Sequence, residues 1–207
     1  DPAWFWNTAT FKEQDLSDSW VANLYPESQY LLQAHVAFFQ SLFESPASAQ
    51  GYDRWGVKEV RLDIKHAIYL QWIFPRAKFI FLYRNPYEAY KSYKGNYWYT
   101  RWPDKAVYTA TQFGKNWEYL LSGYLDGHSK VQSLLLSFED LCKGGKALKG
   151  IEDFLGIQVC ENVLQRKISM PPNFSVMGNA SVAPGELNRL RKAVDPLASS
   201  LGYQLSE

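Results

Sequence analysis

The chain has 207 residues, 46% of them hydrophobic, and its 22 basic and 21 acidic residues leave a net charge of +1. That is enough apolar material for one well-buried domain, with no reason for a second, and it excludes a global positive field for nucleic acid, so any anion site must be local. Cys142 and Cys160 make no disulfide framework, though one bridge between them stays open; no apolar run is long enough to span a membrane, and no Cys/His spacing suits a metal. Residues 1–20, DPAWFWNTATFKEQDLSDSW, are aromatic without periodicity and read as irregular structure over something apolar. Residues 28–44 predict a helix, with Leu31, His35, Phe38 and Leu42 flanked by Leu32, Val36, Phe39 and Phe43 in a wide apolar stripe. His35 on that stripe reads as a packed residue rather than a catalytic base.

After the loop SPASAQGYDR, the stretch WGVKEVRLD predicts a strand ending at Asp63, which caps a helix running through Phe74. Lys58 and Glu59 adjoin inside this expectedly buried segment, where a charge is costly unless it faces a ligand cleft or a partner. A salt bridge from Lys58 or Arg61 to Glu59 or Asp63 is the other reading. His66, in the first helical turn, reads as solvated. Phe79 to Tyr83 form an unbroken apolar run, as in a strand buried on both faces of a parallel sheet. Asn85 then suits an N-cap, Pro86 the first helical position, and Glu88 the far side of a capping box. Arg84 thus ends a strand at the edge where open α/β sheets bind ligands, beside a helix N-terminus with unpaired N–H groups. Ser92 lies roughly 9 Å beyond Pro86, so arginine and hydroxyl could converge on one phosphate. The ordinary alternative pairs Arg84 with a carboxylate and turns Ser92 to a neighbouring helix.

Downstream, KGNYWYTRW interleaves Lys94 and Arg101 with Tyr93, Tyr97, Trp98, Tyr99 and Trp102. Such a surface stacks sugar rings, an aromatic acceptor or nucleobases, or else packs as a loop on the core. Residues 107–126 predict the strongest amphipathic helix, with Ala110, Phe113, Trp117, Leu120, Leu121 and Tyr124 on one side and Gly127 past its end. Ser133 to Phe138 read as a second buried strand. The Gly-Gly-Lys of CKGGKALKGIEDFLGI is no phosphate loop, since the first glycine of GxxxxGK is missing and Ala147 stands where a hydroxyl is required. It reads as a loop before a helix that stops at Gly156. Residues 161–168 suit a short helix, 171–185 a loop, and Glu186 to Leu201 a helix broken near Pro196.

LYRNPYEAYKSY resembles the 3′-phosphate-binding segment of sulfotransferases that use 3′-phosphoadenosine 5′-phosphosulfate (PAPS): an apolar strand, Arg, a polar residue, Pro, and a Ser about eight residues after the Arg. The resemblance implies that Arg84 and Ser92 hold the nucleotide's 3′-phosphate. WGVKEVRLD resembles the strand before the family's cofactor helix, and LLLSFEDL with IEDFLGI its late strand and following helix, so the ordered matches cover residues 50–160. By the same resemblance the fold is α/β, a P-loop NTPase-like three-layer α/β/α arrangement around a parallel sheet. The cofactor is PAPS, leaving as 3′-phosphoadenosine 5′-phosphate (PAP), with no metal. The acceptor is a glycan or another hydroxyl or amine compound, and Lys58 lies near the transferred sulfuryl group.

The chain departs from that pattern in one respect. The family's phosphosulfate loop, a Lys or Arg, a Ser or Thr, Gly, then two of Ser or Thr, occurs nowhere in these residues. Its strand is interior in the family's sheet, so the expected sheet lacks its N-terminal central strand and leaves neighbours with unpaired edges. The acceptor-activating base follows that loop in the family, and here only Glu13, Asp15 and His35 stand in for it. Cytosolic members also use an Arg-Lys-Gly segment, for which Arg166-Lys167-Ile168 offers no glycine. The expectation is a single sulfotransferase domain over 1–207, truncated on its N-terminal side. Other readings are a non-catalytic glycan- or nucleotide-binding module of the same fold, and a nucleotide or sugar kinase, which needs an equally absent phosphate loop.

Overall fold

The computed structural model describes residues 28–60, 62–95, 107–160, 162 and 182–204. The chain divides into two compact units, Asp1–Ala77 and Lys78–Glu207. Among the described residues no helix is long and apolar enough to cross a membrane.

In the first unit, α1 (Ser28–Phe39) runs into a wide turn, Gln40–Glu44, and then α2 (Ser45–Ala49). Pro46 explains the widened turn: it has no N–H to give to the carbonyl four residues back, and the Ser45 N–H reaches Gln40 instead. The expected stripe is half-buried, and on one side only. Phe39 meets Phe74 edge-on at 5.8 Å and Phe43 stacks on Trp55 at 5.2 Å, whereas Phe38 and Leu42 are exposed. His35 is half-buried and hydrogen-bonded through Nδ1 to the Tyr69 hydroxyl, the packed role read from its place on the stripe. Helix α3 (Ile64–Ile73) starts at Asp63, whose Oδ1 accepts the N–H groups of Lys65 (3.0 Å) and His66 (3.2 Å). His66 is exposed, and its Nδ1 lies 2.7 Å from that carboxylate.

Over the described residues of WGVKEVRLD the expected strand does not form. Residues 54–60 have no regular structure, Lys58 and Glu59 are exposed, and so are Val57 (58%) and Val60 (59%). The physical reason is the lack of a ladder partner: among the described residues only two strands pair, both elsewhere. An unpaired backbone keeps its hydrogen bonds with water or nearby side chains, as the Val60 N–H does with the Glu59 carboxylate (2.8 Å).

The second unit holds that pair. Strand β1 (Phe79–Tyr83) lies parallel to β2 (Ser133–Ser137), in register from Phe79 beside Ser133 to Tyr83 beside Ser137. The crossover that parallel strands require runs through α4 (Pro86–Gly95) and α5 (Ala110–Gly127). The architecture is therefore α/β. Strand β1 was expected to be buried on both faces, and among the described residues only one is covered. Phe81 stacks on Tyr124 of α5 at 4.6 Å, while Ile80 (37%) and Leu82 (44%) on the opposite face are exposed. Helix α5 begins at Thr109, which caps the Gln112 N–H, and runs through Gly127. After β2 come α6 (Phe138–Lys143) and α7 (Lys146–Leu155), which ends as predicted at Gly156, in the left-handed conformation (φ 67°) that glycine adopts without penalty.

Helix α8 (Pro184–Ser200) is continuous where a break near Pro196 was expected. Pro196 sits on the exposed side, and the opposite side locks the helix in place: Leu190, Val194 and Ala198 are fully buried with Tyr87, Tyr90, Tyr93, Ala110 and Phe113. Packing of that order offsets the roughly 3 kcal/mol that an interior proline costs. The Tyr93 hydroxyl donates to the Val107 carbonyl (3.0 Å) and that of Tyr90 to Glu186 (3.2 Å). Burial pushes both phenols up to about 12, so they remain donors.

Candidate functional site

The parallel register ends both strands side by side, so the residues that follow them emerge at one edge: Arg84 and Asn85 after β1, Phe138 and Glu139 after β2. Each pair grips the other. The Arg84 guanidinium lies over the Phe138 ring, 4.8 Å from its centre, and the Asn85 N–H donates to Glu139 Oε1 at 2.9 Å. Trp117 of α5 fixes the turn from a third side by donating its indole N–H to the Arg84 carbonyl (3.0 Å). The other Glu139 oxygen, Oε2, accepts from the Tyr203 hydroxyl (2.8 Å). Burial first, and that bond second, push the Tyr203 phenol far up, so it stays a donor. The Tyr83 phenol is also raised, by burial and then by Asp140 and Glu139.

The N-terminus of α4 forms largely as its sequence dictates. Asn85 Oδ1 accepts the N–H groups of Tyr87 (2.9 Å) and Glu88 (3.3 Å), the expected N-cap. The expected return bond from Glu88 is not made. Glu88 is exposed and pairs with Lys91 (2.7 Å), while the partly buried Glu139 takes the Asn85 N–H. A carboxylate arriving from the next strand thus closes the cap that a local one was expected to close.

The chemical consequence concerns Arg84. It is half-buried, its carbonyl and the following N–H are both held, and one face of the guanidinium is covered by an aromatic ring. Yet among the described residues no carboxylate pairs with it. A guanidinium carries five N–H donors in its plane, and stacking on a ring leaves that edge available, which suits a tetrahedral oxyanion.

Ser92 lies on the exposed side of α4 with Glu88 and Lys91, while Tyr87, Tyr90 and Tyr93 face the core. Seven residues after Asn85, it stands about 10 Å along the same side of the helix as the cap. No hydrogen bond joins Arg84 to Ser92. Lys58 belongs to the other unit, on exposed irregular chain rather than in the buried strand expected for it, and no described carboxylate pairs with it. Glu13, Asp15, Arg61, Tyr97 to Trp102 and the 166–168 segment lie outside the described residues. The roles of Phe138, Glu139, Trp117 and Tyr203 were not legible as site residues. The available signal was the Glu139-Asp140 pair directly after an apolar strand.

The model of the sulfotransferase family matches residues 4–161, about three quarters of the chain, including the β1–α4 junction and β2. The chain belongs to the sulfotransferase family. No curated protein matches it. The family assignment places the strand-to-helix corner within the matched region and leaves α8 and Tyr203 beyond it. Among the described residues no group of His, Cys, Asp and Glu is arranged to hold a metal.

Proposed function

We propose that this sulfotransferase-family chain binds the 3′-phosphate of a PAPS-type nucleotide at the β1–α4 corner, with Arg84 as the principal anion ligand and Ser92 as a second. The observation that carries the proposal is Arg84 itself: a half-buried residue on a held turn, its guanidinium over the Phe138 ring with no described carboxylate, at the carboxyl end of a parallel strand beside a capped helix start. The three-layer, P-loop-like arrangement belongs to the same proposal. Helix α5 covers one face of β1, and the exposed Ile80 and Leu82 on the other are the kind of apolar face that a further layer covers.

The nucleotide fits this chain in part. In this reading Arg84 would partner its 3′-phosphate, whereas its phosphosulfate end finds no Ser/Thr-Gly-rich loop among these residues. When bound, such a nucleotide supplies an activated sulfuryl group for in-line transfer to a hydroxyl or amine. What the chain's own residues do is bind and orient: Arg84 neutralises charge, and Trp117 and Asn85 fix the turn that carries it. Taken alone, these residues bind the nucleotide and turn over slowly or not at all.

A thermal shift with PAP tests the proposal. Ligand at about one hundred times its dissociation constant stabilises the native state by about 2.7 kcal/mol, a shift of several degrees. Arg84→Ala is expected to lose most of that shift while melting within a degree or two of the unaltered chain. An equal shift in the two proteins sinks the assignment.

A further inference from the structure

Glu139 places a negative charge at the corner where an anion is to bind, and like charges brought close oppose binding. Its two oxygens are committed elsewhere: Oε1 accepts the Asn85 N–H (2.9 Å) and Oε2 the Tyr203 hydroxyl (2.8 Å). Neither pairs with Arg84, although Arg84 adjoins Asn85 in the chain and its guanidinium covers Phe138, the neighbour of Glu139. The carboxylate therefore grips the backbone of the turn and not its cation. Tyr203 holds it from the far end of α8, outside the residues that the sulfotransferase family model matches.

We propose that Glu139 is the positioning residue of the phosphate corner: a clamp that fixes the Arg84–Asn85 turn so that the guanidinium edge faces the ligand, with Tyr203 holding the clamp. This rests on Arg84 being the anion ligand. The residues after β1 and β2 leave the sheet together, and Glu139 is the side chain that ties one turn to the other through the backbone. With Trp117 on the Arg84 carbonyl, both polar ends of the Arg84–Asn85 peptide, its C=O and its N–H, are held. What the carboxylate costs in repulsion it returns in preorganisation, because an arginine already in place loses less freedom when the phosphate arrives.

The two contributions separate by substitution. Glu139→Gln keeps the length and both contacts of the clamp, the amide oxygen accepting from Asn85 and its NH2 donating to the Tyr203 oxygen, and removes the charge. Glu139→Ala removes both. Dissociation constants for PAP, measured by calorimetry well below each melting temperature, are expected to be unchanged or a few-fold tighter for Glu139→Gln. They should be about tenfold weaker for Glu139→Ala and about two- to threefold weaker for Tyr203→Phe.

Equal changes in the Ala and Gln variants, in either direction or none, overturn the clamp, since only a positioning role separates them. Should Glu139→Ala fail to fold, Tyr203→Phe decides: weaker binding with Glu139→Gln intact supports the clamp, and unchanged binding overturns it. Arg84→Ala is the control. If it binds as tightly as the unaltered chain, or if the unaltered chain binds no PAP, the phosphate reading itself fails. If Arg84→Ala loses binding while Glu139→Ala does not, this inference alone fails.

Discussion

Two short segments each set a cation among apolar residues, and they are held in opposite ways. At Arg84 the chain is fixed by an indole at the carbonyl, a carboxylate at the next N–H and a ring under the guanidinium. Around Lys58 there is no strand, the neighbouring valines face solvent, and one backbone N–H turns to the adjacent Glu59. The composition of the two stretches is similar; their surroundings are not. Phe79–Tyr83 has β2 to pair with and α5 to lie on. Residues 54–60 have no ladder partner among the described residues. A cation held in advance binds an anion at small entropic cost, whereas an exposed lysine on irregular chain must be ordered first.

The largest expected effect comes from loosening the packing behind Arg84. Helix α8 passes α5 so closely that a Cβ on Gly114 would stand 2.7 Å from the Ala193 Cβ and 3.1 Å from Val194 Cγ1. Neither is the end of a flexible side chain, so the helices must separate. Gly114→Ala gains about 1 kcal/mol of helix propensity but loses about 3 kcal/mol to overpacking, a net destabilisation of about 2 kcal/mol in urea unfolding. A variant as stable as the parent would show that α5 and α8 can part at no cost, and the contrast with the solvated residues 54–60 would weaken.

A smaller effect comes from the clip between α8 and α4. Glu186 accepts from Lys94 (2.6 Å), from Tyr90 (3.2 Å) and from the Ala183 N–H (3.0 Å). The Lys94 hydrogen bond above all holds its carboxyl below the ordinary 4.5. A depressed folded-state value means stability that is complete above the ordinary value and lost as pH falls through the folded one. Glu186→Gln should therefore cost about 1 kcal/mol at neutral pH, and the two proteins should converge in acid. Parallel stability curves across the acid range would show that the carboxylate does not hold the helices together.

Much of this was legible in the sequence, for local reasons. Asn85-Pro86 announces a helix start, Gly156 a helix stop, and the Ala110–Tyr124 stripe a core helix, because each signal is contained within a few turns of chain. Pro196 misleads because α5 and the tyrosines of α4 hold α8 straight from the opposite side. The stretch over 55–63 misleads because a strand is a property of two segments, and its sequence contains only one. The same holds for the corner: Arg84 and the Asn85 cap are visible in one segment, whereas Glu139 and Tyr203 reach it from beyond β2 and beyond α8.

The smallest expected effect bears most directly on the contrast. If residues 54–60 are solvated rather than packed, replacing their apolar side chains should cost almost nothing, although the segment was expected to be buried. Each is more than half exposed, so Val57→Ser and Val60→Ser should shift unfolding by less than about 0.5 kcal/mol. A loss of about 1 kcal/mol or more in either would mean that in solution the valine leaves water, with roughly the burial that a core valine gains. Lys58 would then sit in a packed segment after all, and the difference between the two cations would come from sequence rather than from surroundings.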